Sequence, residues 1–134
     1  MLNHEKHEKL EKIIYKEESY ALQGAIFEVY RKMGSGFLEA VYQECLEKEL
    51  DLKKIPFQSK TEIRLSYKNT PLSQTYRADF ICFDSILIEI KAVSQILDVH
   101  RAQVLNYLKA TNLKLGLLVN FSSLPKVGIE RIVL

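Results

Sequence analysis

Asp79, Glu89 and Lys91 are charged residues inside one of the most apolar stretches of the chain, RADFICFDSILIEIKAV at 77–93. Glu89 and Lys91 are two positions apart. Strand side chains alternate between faces, so these two point one way while Ile88, Ile90 and Ala92 point the other. A buried charge is costly unless it is paired or holds a metal. Two carboxylates and a lysine grouped on adjacent buried strands suit a hard divalent cation. Mg²⁺ favours oxygen ligands and commonly takes one or two carboxylates, leaving water and a substrate phosphate to fill its octahedron. The lysine can then orient or help deprotonate an attacking water, or steady charge on the phosphate. A bland reading competes, in which Glu89 and Lys91 are ordinary neighbours on a surface face. E-x-K alone favours that reading; the flanks ADFICF and ILIEIKAV, too apolar for an exposed edge, count against it.

Asp79 joins this group only in one register. Two strands are expected at about 76–83 and 86–92, with Asp84-Ser85 at the bend. An even, two-residue turn there would pair Asp79 with Ile90 and send its carboxylate to the wrong side. The chemistry therefore requires an odd connection or a bulge, with Asp84 or Ser85 in the strained turn conformation.

Asp79, then Glu89-Ile90-Lys91 ten residues on, resembles the PD-(D/E)XK motif of the restriction-endonuclease-like nuclease superfamily, with Ala78 where proline is usual. GFLEAVY, Gly36 to Tyr42, matches the signature of the GxxExxY family within that superfamily. QVLNY, Gln103 to Tyr107, matches the Q-x-x-x-Y motif of RecB-type nucleases, on the helix after the lysine strand. The resemblance runs from about residue 19 to the final ERIVL. Tyr30 departs from it, standing where the family is associated with histidine, and no role is carried to that position. The resemblance implies a restriction-endonuclease-like core and metal-dependent hydrolysis of phosphodiester bonds, in DNA rather than RNA. It implies Mg²⁺, with Mn²⁺ as a substitute, held by Asp79 and Glu89 with Glu39 assisting. Lys91 would help to generate the nucleophile, and Gln103 and Tyr107 would position substrate.

The residue types agree with these roles, and each also has a structural alternative. Glu39 falls in the first turn of a helix just after a glycine pair, where the helix dipole favours a carboxylate. It could equally be an ordinary first-turn glutamate. Tyr42 lies one turn on and reads as core packing or hydrogen-bond support. Gln103 and Tyr107 are i, i+4 on one helix, with His100 on the same stripe; the alternative is the polar edge of a packed helix. Asn120, which ends an apolar strand, reads as structural.

The elements that must position these residues follow from periodicity. Leu22, Ile26, Val29, Tyr30 and Met33 recur at helical spacing between Tyr20 and Met33, and GSG at 34–36 ends that helix. A second helix is expected from Phe37 to Leu50. TEIRLSY, 61–67, alternates as a half-buried strand should, and KNTP turns the chain. After the two strands that carry the acids comes a helix, DVHRAQVLNYLKATN, with Asp98 as its expected N-cap. KLGLLVNF reads as a strand covered on both faces and IERIVL as a last short strand. The order is α-α-β-β-β-α-β-β, an α/β fold with helices packed on a mixed sheet.

A chain of 134 residues with 47% hydrophobic content fits one globular domain, taken as residues 19–134. Residues 1–18 are a charged N-terminal segment, frayed or helical, in which His4 and His7 read as solvated. A net charge of +2 is too small to argue for a coat of nucleic acid. Cys45 and Cys82 sit inside apolar patterns as free thiols, which fits a reducing, cytoplasmic compartment. No run approaches transmembrane length, and the charged start shows no signal peptide. Nucleic acid is the expected partner, and a homodimer could embrace a duplex. The competing function is a catalytically silent nuclease-like module that binds nucleic acid or a protein.

Overall fold

The computed structural model describes residues 15–134; the segment 1–14, with His4 and His7, lies outside the described residues. Helix α1 spans Lys16–Met33 and α2 spans Glu39–Leu52. Strands β1 (Phe57–Tyr67), β2 (Thr70–Cys82) and β3 (Ile86–Lys91) follow, then α3 (Asp98–Thr111), β4 (Leu115–Asn120) and β5 (Gly128–Val133). The sheet runs β1-β2-β3-β4-β5 in space. Only β3 and β4 are parallel, and α3 is the crossover that a parallel pair needs. The order is the expected ααβββαββ, an α/β fold consistent with a restriction-endonuclease-like core.

Boundaries moved where local chemistry was misread. Helix α1 begins at Lys16, so the last residues of the charged segment are helical. Strand β1 begins at Phe57, and KNTP is a tight hairpin turn. Lys68 and Asn69 both take positive φ, 48° and 63°, as a two-residue hairpin turn needs, and Pro71 falls inside β2. Asp98 is not the N-cap of α3. Leu97 holds that position, and the His100 imidazole serves instead, its Nδ1 accepting the Leu97 N–H at 2.9 Å. Asp98 pairs outward with Arg101 at 2.7 Å.

The sheet is covered on both sides, giving two cores. Leu22, Ile26, Tyr42, Leu46, Phe80, Ile88, Ile90, Leu117 and Phe121 pack between the sheet and the α1–α2 pair. Ile63, Ala78, Leu87, Val104, Tyr107, Leu108 and Leu118 pack beneath α3. All six residues of β4 are buried, as a strand covered on both faces should be. Helix α3 seats closely on β4 because Gly116 carries no side chain: a Cβ there would come within 2.7 Å of Val104 Cγ1. That contact sets how far α3 stands from the sheet.

A pair of glycine substitutions tests this seating. Gly116→Ala should destabilise the fold by about 1–3 kcal/mol, the usual cost of overpacking. Gly24→Ala, at an exposed helical position with open space around it, should stabilise by roughly 0.5–1 kcal/mol. Urea titration with an unchanged m-value checks both.

Candidate active site

The connection between β2 and β3 is residues 83–85, an odd length, with Phe83 and Asp84 both in the left-handed region at φ 56° and 53°. It pairs Phe80 with Ile88, Ile81 with Leu87 and Cys82 with Ile86. Glu89 and Lys91 thereby share the α3 side of β3 with Leu87, leaving Ile86, Ile88 and Ile90 to the other core.

Beyond Phe80 the two strands part. Ala78 belongs to the core beneath α3 while Phe80 belongs to the core beneath α1 and α2. Residues two apart on a regular strand share a face, so the backbone of β2 must turn over at Asp79. On β1, between the pairs Ser59–Phe80 and Thr61–Ala78, Lys60 takes φ 52°, and this kink accommodates the turn. Side chains then complete the hydrogen bonding. The Ile90 N–H donates to Asp79 Oδ2 at 2.7 Å, and the Asp79 N–H donates to Glu89 Oε1 at 3.3 Å. Each acid satisfies a backbone donor at or beside the other.

This fork opens into a cleft of about 230 Å³ lined by Glu39, Ala40, Gln43, Lys60, Tyr76, Asp79, Glu89, Ile90 and Lys91. Glu89 is 1% exposed, and Tyr76 donates its hydroxyl to Glu89 Oε2 at 2.9 Å. The Tyr76 ring stacks on Tyr107, centroids 3.8 Å apart. Lys91 Nζ donates to Gln103 Oε1 at 3.0 Å, and Gln43 Nε2 donates to the Asp79 carbonyl at 3.1 Å. Burial pushes the Glu89 carboxyl up to about 8, and the neighbouring Asp79 charge pushes the same way. Burial raises Asp79 as well. Two desolvated carboxylates this close cannot both ionise freely.

The expected site residues separate into three groups. Asp79, Glu89 and Lys91 converge, and Gln103 reaches Lys91 directly. Tyr107 is one step removed and acts on Glu89 through Tyr76. Glu39 is the first residue of α2 and lines the cleft, but it is exposed. Among the described residues no three His, Cys, Asp or Glu side chains form a ready metal cluster. Tyr42 is fully buried and clamps the glycine loop: its hydroxyl donates to the Gly34 carbonyl and accepts the Phe37 N–H, while its ring stacks on Phe121. His100 is committed to its cap. Asn120 holds both the N–H and the carbonyl of Val93, tying the chain after Lys91 to the end of β4.

Sequence reasoning missed Tyr76, Gln43 and Lys60. Tyr76 lies three residues from Asp79, and strict alternation would put it on the opposite face. Only the turn of β2 at Asp79 brings it into the same cleft.

With the geometry in place, the comparisons bear on it directly. The sequence profile of the PD-(D/E)XK nuclease superfamily matches residues 16–132. The chain belongs to this superfamily. The matched span contains Asp79, Glu89 and Lys91. The solved structure of the protein SSO0001 superposes with a TM-score of 0.56 at 21% identity, covering 92% of this chain. The chain spans 61% of that protein's length, and the likeness is one of fold. No curated protein matches the sequence. Among the described residues no helix is long and apolar enough to cross a membrane.

Nucleases of the PD-(D/E)XK superfamily generally use divalent metals, and the donor set here fits one. Each hydrogen-bonded carboxylate oxygen has a second lone pair to offer. Burial raises the affinity of both acids for protons, and at Glu89 the neighbouring Asp79 charge adds to it, so a cation bound between them would offset the cost of keeping them ionised.

The shifted carboxyl sets a pH dependence. A carboxyl whose pKa rises on folding, as Glu89's does from 4.5 to about 8, stabilises the fold fully below the lower value. That stability is lost as pH rises through the upper value. In EDTA the melting temperature should therefore fall across this window, and Glu89→Gln should flatten the fall. The Tyr76 hydrogen bond favours ionised Glu89, so Tyr76→Phe should carry the decline to higher pH. At alkaline pH that variant should lose about 1–3 kcal/mol, as expected for an unpartnered buried carboxylate. Calorimetry across pH tests all three proteins.

Proposed function

We propose that the chain is a metal-dependent nuclease of the GxxExxY type that hydrolyses phosphodiester bonds in DNA. The observation that carries this reading is the convergence of Asp79, Glu89 and Lys91 in one cleft, with Glu89 buried, Asp79 half-buried and Lys91 steered by Gln103. Asp79 and Glu89 would hold Mg²⁺, or Mn²⁺ in its place, with Glu39 completing the shell from the start of α2. When bound, such a cation neutralises charge on the phosphate and supplies an activated water.

The chain's own residues do the rest. Lys91 offers an ammonium to the non-bridging phosphate oxygens or, once deprotonated, takes a proton from the attacking water. Gln103 fixes the Lys91 side chain, and Tyr76, braced by Tyr107, fixes Glu89. A water oxygen bonds to phosphorus as the phosphorus–oxygen bond to the leaving sugar breaks, and the leaving oxygen ends protonated. The three GxxExxY positions have compatible tasks. Gly36 takes φ 108°, a conformation that side chains resist; Glu39 faces the cleft; Tyr42 holds the loop between them. The free thiols support a reducing, cytoplasmic setting: Cys45 is half-buried, and burial pushes the Cys82 thiol up to about 12.

Plasmid, linear and single-stranded DNA incubated with Mn²⁺, Mg²⁺ or EDTA test the proposal. Wild type should cut with metal and not with EDTA. Glu89→Gln and Lys91→Ala should fall to background. Gln103→Ala should retain activity reduced on the order of 10- to 100-fold, because a misplaced group slows the reaction without removing it. Binding of nucleic acid with no cleavage by any of these proteins would identify a silent module instead.

A further inference from the structure

We infer that the β1–β2 hairpin is an arm along which the phosphate backbone of duplex DNA runs into the cleft. The inference rests on the nuclease reading for its direction, though not for its test. Strands β1 and β2 pair along almost their whole length, from Phe57–Cys82 to Tyr67–Thr70, whereas on β2 the next strand, β3, reaches only Phe80, Ile81 and Cys82. The hairpin from Thr61 to Ala78 therefore overhangs the sheet, by roughly 20 Å at strand rise.

One side of this arm is occupied: Ile63, Tyr76 and Ala78 pack with Val104, Tyr107 and Leu108 of α3. The other is open. Arg64 and Arg77 alternate onto it beside Thr75, all exposed. The Arg64 side chain is 80% exposed, and its ion pair with Glu62 is loose at 3.9 Å. Exposed pairs of this kind contribute little, so the guanidinium remains available to a phosphate.

Charge is segregated across the cleft. The arm before Asp79 carries Lys60, Arg64, Lys68 and Arg77 against one acid, Glu62. Helix α2, whose Glu39, Ala40 and Gln43 line the facing wall, carries Glu39, Glu44, Glu47, Glu49 and Asp51 along its length against one base, Lys48. The net charge of +2 hides this division. A polyanion is attracted to one wall and repelled by the other, so its approach is one-sided. Lys60 lines the cleft itself and joins the arm to the carboxylates. Arginines, lysines and hydroxyls are the groups that contact phosphate rather than bases. The arm is therefore a surface for duplex backbone of any sequence.

The test compares the full chain with an Arg64→Ala/Lys68→Ala/Arg77→Ala variant, titrated against a fluorescent DNA duplex between about 50 and 200 mM salt. EDTA is present throughout, so the outcome does not depend on cleavage. These side chains are exposed, and an unchanged melting temperature will confirm that the variant is folded. The variant should bind more weakly at every salt concentration. Its slope of log affinity against log salt should be shallower by about 3, near one for each phosphate contact removed. Equal affinity and slope in the two proteins would overturn the arm, as would failure of wild type to bind the duplex. An arm-dependent preference for structured RNA would overturn the assignment to DNA. If wild type binds through the arm but cuts nothing when metal is added, the nuclease reading fails and the arm stands.

Discussion

Two acidic side chains complete the hydrogen bonding of two strands that part, and much of the site depends on that exchange. Asp79 takes the Ile90 N–H, and Glu89 takes the Asp79 N–H. A sheet that opens in its interior leaves donors without partners, and each such donor is costly. Here the carboxylates satisfy them, so the opening is stable and the acids are fixed at its edges. The same contacts serve the fold and place the chemistry. Burial makes the arrangement tense, because the carboxylates are desolvated beside one another, and their raised proton affinity records that tension.

Helix α3 converts this local geometry into a complete cleft. Gly116 lets it approach β4 closely, and from there Gln103 reaches Lys91 while Tyr107 braces Tyr76 against Glu89. On the far side, Tyr42 locks the glycine loop so that α2 begins at the cleft wall. Asn120 stitches the segment after Lys91 to the neighbouring strand. A fork in a sheet would be mobile without such bracing; here packed tyrosines and short hydrogen bonds hold it from both faces.

Much of this was legible in the residues. Alternation placed Glu89 and Lys91 together opposite Ile88 and Ile90, because a strand has a period of two and the apolar face must be buried. The requirement that Asp79 join them fixed an odd connection, and the residues 83–85 supply it. Element order followed from periodicity, and the continuous apolar run of β4 from its burial on both faces. Local misreadings came from competing caps and turns. Asp98 looked like a cap, but His100 reached the Leu97 N–H instead.

What the sequence determined by itself is the set of elements, their order, and the side of β3 that carries charge, since these depend on periods of two and 3.6 and on the cost of burying polar groups. Only the tertiary structure decided which residues meet at the fork. The turn of β2 at Asp79 breaks the alternation on which a sequence argument relies, and it brings Tyr76 into the cleft against its expected parity. The division of charge between the hairpin and α2 is likewise invisible in a net charge of +2. It arises because the fold brings the start of an acidic helix, at Glu39, and the base of a basic arm, at Lys60, to one opening.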